Sequence, residues 1–423
     1  MIRKSRLVNA LFLLGFPMFG IGSWYGLRNS ISEGMVISVA PFVAIILFFL
    51  VDSVYNRPER RMLTSTWWLC LAYCGTLMAS MVVALKGGIP GVQTGNVLLS
   101  CLVFVAPFTA AVIVNSLNRD DKDFDFARLV FFGLGALLLI NILGYLAGIK
   151  SEGHSFEGRA NFPFIRGIYT GAHVLSVFCL MLLFRIKDPT KRPVAFTMYL
   201  TFMVVGIVFM MLINSRLSFL IFLLLTLLFV TRAIKVARGL YTISLFTLPL
   251  LLSFSLLVYS VLSSPVFASV LKRVSKEDVT TFNGRSYMWL SVGDWAVNDR
   301  TGIWFGNGYK GHYPLGLLEE AAIFWEEPHP YNLHTHSTFT EVAVAQGVLG
   351  LVLIYMVLWR GFTYYRKQYL DQTLLAPMFG GFAYLLFIWQ VDIFCYGVEI
   401  GHAILMVMMA PLCLKPRSIA ALG

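Results

Sequence analysis

Hydrophobic residues dominate this chain in runs of about twenty, which short polar segments separate. A run of that length crosses a hydrocarbon core of about 30 Å as one helix, whereas a transmembrane β-barrel shows ten-residue segments of alternating polarity. The pattern therefore predicts an all-α polytopic membrane protein with about twelve spans. The predicted spans lie near residues 7–27, 34–51, 66–85, 96–117, 127–149, 168–185, 194–213, 217–231, 241–262, 337–359, 374–391 and 396–414.

One long polar segment, residues 263–336, interrupts the pattern. The chain is thus predicted to have three parts: a transmembrane bundle of about nine spans over residues 1–262, a large, partly helical loop over 263–336, and about three further spans over 337–423. Four of the seven histidines fall near the end of the loop: His312, His329, His334 and His336. We expect any chemistry to take place there.

Composition agrees with this class, because 58% of the residues are hydrophobic and 13% are charged, about half the charged share of a soluble domain. The formal net charge of +11 would suit nucleic acid, but topology explains it. With residue 1 inside, 21 of the 33 Lys and Arg fall on inner segments, six on short outer loops and six on the long loop. Positive residues mark the cytoplasmic side. We expect cytoplasmic termini, an outward-facing histidine-bearing loop, contact with membrane lipid and no nucleic-acid partner.

Arginines on the short outer loops oppose this bias. Arg159 and Arg166 lie between the fifth and sixth predicted spans, and Arg216 follows Ser215 in a tight turn between the seventh and eighth. A charge near the bilayer is unfavourable, and the plain alternative for Arg216 is an arginine that extends to the interface. Guanidinium groups match phosphate oxygens with two parallel hydrogen bonds. These arginines therefore indicate handling of phosphate esters at the outer face.

The end of the long loop carries a candidate base. Residues 338–341 (Thr-Phe-Thr-Glu) predict a capping box at the start of the next span, which gives Glu341 a structural role. His336 then lies just before a helix N-terminus, where the backbone favours anions and disfavours imidazolium. We expect His336 to be neutral and able to accept a proton. Earlier in the loop, Arg285 precedes an amphipathic segment, residues 287–296, that is predicted to lie along the membrane surface.

These residues resemble a known family. His336-Ser337, nine residues and then Gly347-Val348-Leu349-Gly350 resembles the motif of bacterial O-antigen ligases. Residues His334-Thr335-His336-Ser337 are similar to the His-Pro-His-Asn of the wider O-antigen ligase and polymerase superfamily, with Thr335 in place of proline. Ser215-Arg216 and Gly284-Arg285 resemble the arginine motifs of that superfamily. About twelve spans with one large periplasmic loop late in the chain is also the layout of the family.

The resemblance implies a metal-independent, inverting glycosyltransferase without a cofactor in the bacterial inner membrane. Such an enzyme moves a glycan from undecaprenyl diphosphate to a hydroxyl of lipid A–core, or of a growing glycan, on the periplasmic face. We accordingly expect His336 to act as general base, with His334 orienting it or donating a hydrogen bond. Arg216 and Arg285 are expected to neutralise the diphosphate, with Arg159 or Arg166 assisting.

Three other readings of the sequence stay open. A polymerase of the same superfamily extends a lipid-linked polysaccharide and shares the histidine-rich motif. A transporter or flippase also has about twelve spans, although transporters place charged residues and broken helices near the midplane. A zinc enzyme would use His329, His334 and His336 as ligands, although these residues lack the helical His-Glu-x-x-His spacing.

Overall fold

The computed structural model describes residues 4–56, 63–119, 121, 123–151, 159–167, 169–186, 192–235, 239 and 285–415. Within these ranges the regular structure is helical, apart from one isolated bridge between Leu63 and Leu414, which confirms the all-α class. The α-helices are α1 (Lys4–Arg28), α2 (Ile31–Asn56), α3 (Ser65–Lys86), α4 (Thr94–Leu117), α5 (Phe126–Leu146), α6 (Thr170–Leu183), α7 (Pro193–Ile213), α8 (Arg216–Val230), α9 (Arg285–Asp294), α10 (Glu319–Phe324), α11 (Thr338–Leu370), α12 (Ala376–Val391) and α13 (Ile400–Met409).

Eleven of these helices coincide with predicted spans. Seven of them, α1 to α5, α7 and α11, are long and apolar enough to cross a membrane, and α6, α8, α12 and α13 are shorter apolar helices. The predicted span near 241–262 lies outside the described residues, as does the first part of the long loop. The total of about twelve spans and the division at residues 262 and 336 therefore stay predictions.

Three of the shorter helices form the centre of the bundle. Nearly every residue of α6, α12 and α13 is buried. Helix α12 packs against both α6 and α11, and α13 packs against α4. Because neighbouring helices bury nearly all of their residues, these three helices are shielded from lipid by the rest of the bundle. The N-terminal end of α6 and the C-terminal end of α12 position the candidate site.

The described part of the long loop is folded. Helix α9 confirms the predicted helical segment and continues into a π-helical turn, Trp295–Asp299. Met288 and Trp289 of α9 pack against Leu318 and Ala321 of the α10 region. Farther along, Val292 and Trp295 pack against α11. The apolar face of α9 thus packs within the protein, and its placement along the membrane surface stays a prediction.

Helix α11 is interrupted at Gly347, the first glycine of the Gly-Val-Leu-Gly motif, where φ is 66° and ψ is −165°. The break leaves helix backbone groups without their usual partners, and such groups must be paired in a membrane protein. The loop segment 303–308 pairs them. The bonds run from Asn307 N to Val344 O (2.8 Å), Gly308 N to Ala345 O (3.1 Å), Val348 N to Ile303 O (2.8 Å) and Leu349 N to Trp304 O (3.1 Å). The motif therefore joins the loop to the span that follows the histidines.

We expect Gly347→Ala to destabilise the protein. Its backbone conformation is essentially restricted to glycine, and such strain is worth about 1–3 kcal/mol. An added Cβ would also lie 2.5 Å from the carbonyl carbon of Trp304. Thermal unfolding of the purified protein in detergent measures the effect. The matched control is Gly75→Ala in α3, where an added Cβ meets no atom within 4 Å; equal melting temperatures for the two variants would contradict this explanation of the motif.

Candidate active site

The ends of four helices meet at one end of the bundle. Ser337 at the start of α11 donates to the carbonyl of Gln390 in α12 (2.7 Å). Thr338 donates its backbone N–H to the carbonyl of Asp392, the residue directly after α12 (3.2 Å). His173, in the first turn of α6, and Ser218, in the first turn of α8, lie 2.9 Å apart between Nδ1 and Oγ. These contacts bring residues that are distant in sequence into one polar cluster.

Asp392 is the centre of this cluster and is only 6% exposed. Its Oδ2 lies 3.3 Å from His173 Nε2 and 3.8 Å from Arg285 Nη2, and its Oδ1 lies 3.9 Å from His336 Nδ1. Burial alone raises the pKa of this carboxyl. Arg285, together with the two histidines, outweighs burial and holds the pKa of Asp392 well below its usual value. The side chain is therefore a carboxylate that faces three basic groups.

The backbone around His336 is held from several sides. His336 has a φ of 51°, a left-handed conformation uncommon for residues other than glycine. Trp289 donates its indole N–H to the carbonyl of Thr335 (2.9 Å), and Thr335 donates its backbone N–H to Glu341 Oε1 (2.7 Å). Trp325 packs edge-on against the His336 ring, with 5.4 Å between centroids. The conformation is therefore fixed by packing and hydrogen bonds before any substrate binds.

The predicted capping box is wrong by one residue. Ser337, rather than Thr338, is the N-cap of α11 and accepts from the backbone N–H of Thr340. Glu341 keeps the predicted structural role, but it accepts from Thr335, ahead of the helix, instead of closing a box. The reason is tertiary, because the hydroxyl of Thr338 is used by the turn after α12, where it accepts from the backbone N–H of Phe394 (3.2 Å).

Both histidines of the motif are shifted towards the neutral form. Burial, helped by the charge of Arg285, lowers the pKa of His336, although Asp392 raises it in part. Burial also lowers the pKa of His334 well below its usual value. His334 Nδ1 accepts the backbone N–H of His336 (3.2 Å) and so carries no proton. The predicted neutral form of His336 agrees with this result, but the main cause of its lowered pKa is burial rather than the helix N-terminus.

The other predicted arginines lie around this cluster with different partners. Arg216, the first residue of α8, is exposed, and Ser215 before it is the buried N-cap. Arg159 donates to the hydroxyl of Tyr169 (3.1 Å), directly before α6. The residue after Arg159, Ala160, donates to the carbonyl of Leu212 near the end of α7 (3.0 Å). Arg159 therefore lies between the start of α6, which carries His173, and the end of α7, which leads into the turn before Arg216.

Arg166 lies in a different environment. It lines a narrow cleft together with Glu399 and residues of α1 and α5. Burial raises the pKa of Glu399, and the charge of Arg166 partly offsets this rise. His329 is also separate in its contacts, because its ring is exposed and stacks on Tyr331 with 5.2 Å between centroids. Of the predicted site residues, the structure thus places Arg285, His334 and His336 in direct contact with one another or with Asp392.

Two residues of the cluster were not predicted as site residues, Asp392 and His173. Each is a single ionisable residue within or at the end of an apolar run. An ionisable residue in a membrane segment is rare and usually functional, and this signal marks both positions. From the sequence alone, Asp392 is only a charged residue near an outer turn. The groups that surround it in the structure come from distant segments, so no local pattern marks them.

The carboxylate, the neutral imidazole and the guanidinium group can together support proton transfer beside an anionic group. The imidazole accepts a proton, the carboxylate stabilises the imidazolium that forms, and the guanidinium neutralises an anionic group. The buried Nδ1 of His336 has no hydrogen bond to a described residue and faces Asp392. The other ring nitrogen, Nε2, is therefore the one available to a substrate.

Fold and site together define a multi-pass, all-α membrane protein with a histidine–carboxylate–arginine site at one end of its bundle. The family model of O-antigen ligase matches residues 201–355. This match confirms the predicted resemblance to the O-antigen ligase family over this part of the chain. It includes Arg216, Arg285 and His336, whereas His173 and Asp392 lie outside it.

A curated relative supports the same superfamily. The exopolysaccharide production protein ExoQ of Rhizobium meliloti (strain 1021) is 33% identical over 97 residues. The aligned stretch covers 22% of this chain and 21% of the relative, so the chain matches about a fifth of the length of that protein. The family to which the match points implies a glycosyltransferase-like activity.

Proposed function

We propose that this protein transfers a glycan from undecaprenyl diphosphate to a hydroxyl of lipid A–core at the periplasmic face of the bacterial inner membrane. The observation that carries the proposal is the meeting of Arg285 and His336 at Asp392, at the end of a membrane-embedded bundle. A diphosphate on a polyprenyl tail is an anion that stays at the membrane surface. A site with cationic forks and a base at the end of apolar helices suits such a donor.

In the proposed reaction, His336 Nε2 takes the proton of the acceptor hydroxyl as the hydroxyl oxygen attacks the anomeric carbon. The bond from that carbon to the diphosphate oxygen breaks, so that the configuration inverts and undecaprenyl diphosphate leaves as an anion. Asp392 stabilises the imidazolium on His336, as the carboxylate does in a serine protease triad. No metal or cofactor takes part in these steps.

The arginines serve the leaving group. The Arg285 guanidinium uses Nη1 for the carbonyl of Val391 (3.3 Å) and directs Nη2 towards Asp392, and its planar fork has further N–H groups for phosphate oxygens. Arg216 is exposed at the adjoining turn and supplies a second guanidinium. Arg159, whose neighbour Ala160 bonds to the end of α7 ahead of this turn, or Arg166 assists, and His334 orients His336.

The relative favours a second candidate, polymerisation of O-antigen or exopolysaccharide repeat units, because its name refers to exopolysaccharide production. In this case the acceptor is a growing lipid-linked glycan, while the base and the arginines keep their roles. The family match favours either transfer reaction over the transporter or flippase reading.

A deletion strain separates the two acceptors. We expect loss of the gene to give lipid A–core without any O-antigen while long lipid-linked chains accumulate, because ligation is the step that moves finished chains to the core. Electrophoresis of lipopolysaccharide and extraction of the lipid-linked pool measure this. A strain with a single repeat on the core would contradict ligation and indicate polymerisation, and complementation with the wild-type gene is the control.

A further inference from the structure

His173 is a buried histidine that the steps above do not use. It lies in α6 and is only 2% exposed. Its Nδ1 lies 2.8 Å from the Tyr384 hydroxyl and 2.9 Å from the Ser218 hydroxyl, and its Nε2 lies 3.3 Å from Asp392 Oδ2. Both ring nitrogens are therefore within hydrogen-bond distance of partners from two other parts of the chain, α8 and the C-terminal part of α12 with the residue that follows it.

The contacts continue to the turn that carries Arg216. Ser218 Oγ lies 2.6 Å from the hydroxyl of Ser215, the N-cap of α8. A continuous line of buried polar groups thus runs from Ser215 through Ser218 and His173 to Asp392. It joins the turn beside one proposed phosphate-binding arginine to the carboxylate that faces the proposed base.

This network places polar groups in a buried position, and it orients the Asp392 carboxylate. A buried polar group is unfavourable unless it is hydrogen-bonded, and an apolar residue would fill this place in α6 more simply. With Nε2–H donating to Oδ2 and Nδ1 accepting from a hydroxyl, His173 holds one oxygen of Asp392. The other oxygen, Oδ1, then faces His336 Nδ1 and accepts from the backbone N–H of Ile393 (2.8 Å).

We infer that His173 is a positioning residue for glycan transfer: it fixes the orientation of Asp392 towards His336 and connects that carboxylate to the Ser215–Arg216 turn. The inference rests on the proposed function for its effect on turnover. Its effect on the geometry of His336 does not depend on the substrate class. The positioning role and the proposed function can therefore be tested separately.

The first test compares His173→Leu and His173→Gln with His402→Gln. His402 is an equally enclosed histidine, 0% exposed, whose Nε2 lies 3.3 Å from the carbonyl of Phe104 in α4. Loss of a hydrogen-bond partner that orients a metal-binding side chain typically lowers activity about 10–100-fold, and we expect a comparable loss for a partner that orients Asp392. We expect His173→Leu to lower kcat by about this factor with KM for the acceptor nearly unchanged. His173→Gln keeps an N–H for Asp392, so we expect a smaller loss, and His402→Gln should keep the wild-type kcat.

The second test reports on His336 without turnover. Diethyl pyrocarbonate modifies neutral imidazole, so the pH dependence of His336 modification, read by mass spectrometry, gives the midpoint of its titration. The groups that face His336 are Asp392 after α12, Arg285 of α9, and His334 and Trp325 of the loop. Without His173, Asp392 turns away and no longer raises the pKa of His336, so the midpoint should move to lower pH in His173→Leu and stay unchanged in His402→Gln.

The results separate the hypotheses. A wild-type kcat in His173→Leu, or a midpoint identical to that of the wild type, overturns the positioning role. Equal loss of activity in the His173 and His402 variants, with unchanged midpoints, would assign both histidines to stability alone. A shifted midpoint in a protein that transfers no glycan supports the positioning role and rejects the proposed function.

Discussion

Replacement of His336 by alanine is expected to lower the rate of glycan transfer about 10²–10⁴-fold, the usual contribution of a general base. The buried Nδ1 of His336 faces Asp392 and the lowered pKa keeps the ring neutral, an arrangement that no neighbouring side chain among the described residues shares. His334 is the nearest imidazole, with 4.1 Å between ring centroids. It is turned to the backbone of His336, where its Nδ1 is used as an acceptor.

Transfer by the purified variant, measured with a lipid-linked glycan and a defined acceptor, gives the result. Binding of the donor should be nearly unchanged, because the arginines that neutralise the diphosphate are intact. The matched control is His329→Ala in the same loop, whose exposed ring stacks on Tyr331 and which should transfer at the wild-type rate. Near-normal transfer by the His336 variant would show that the base lies elsewhere.

The second large effect is expected for Asp392→Asn, an isosteric change that removes one negative charge. The imidazolium that forms on His336 would lose its stabilising carboxylate, and the comparable change in a serine protease triad lowers kcat about 10⁴-fold. Because Asp392 raises the pKa of His336 while burial lowers it, its loss should lower that pKa further. The acid limb of the pH–rate profile should therefore move to lower pH as the rate falls.

A pH series of kcat/KM for this variant tests both effects together. Asp371→Asn is the matched control, because Asp371 also directly follows a helix, α11, but is exposed; it should leave rate and profile unchanged. A rate loss below about tenfold, or an acid limb that moves to higher pH, would be inconsistent with a carboxylate that supports His336.

The fold could be predicted from the sequence in its class and largely in its elements. The length of an apolar run is set by the thickness of the bilayer. The runs that form α1 to α8 and α11 to α13 can therefore be found from the sequence alone. The N-cap of α11 was predicted at Thr338 and lies at Ser337. Both residue types cap helices, and tertiary bonds distinguish them, because the Thr338 hydroxyl accepts from Phe394 while Ser337 bonds to Gln390 in another helix.

The site was predictable where a local motif carries it. His334, His336, Arg216 and Arg285 stand in short patterns, and three of them lie in contact around Asp392, while Arg216 adjoins the same network. Asp392 and His173 have no such pattern, since they meet across 219 positions of the sequence. Such a pair depends on how α6 packs against α12, which hydrophobicity alone does not specify.

Purified protein, a lipid-linked glycan donor and a hydroxyl-bearing acceptor, mixed in detergent with and without excess EDTA, test the central claim most directly. We expect the acceptor to gain the glycan while an equal amount of undecaprenyl diphosphate is released, at the same rate in both mixtures. An acceptor that stays unmodified while the wild-type protein is folded would contradict glycan transfer. Transfer that EDTA abolishes would contradict the metal-independent histidine, aspartate and arginine mechanism.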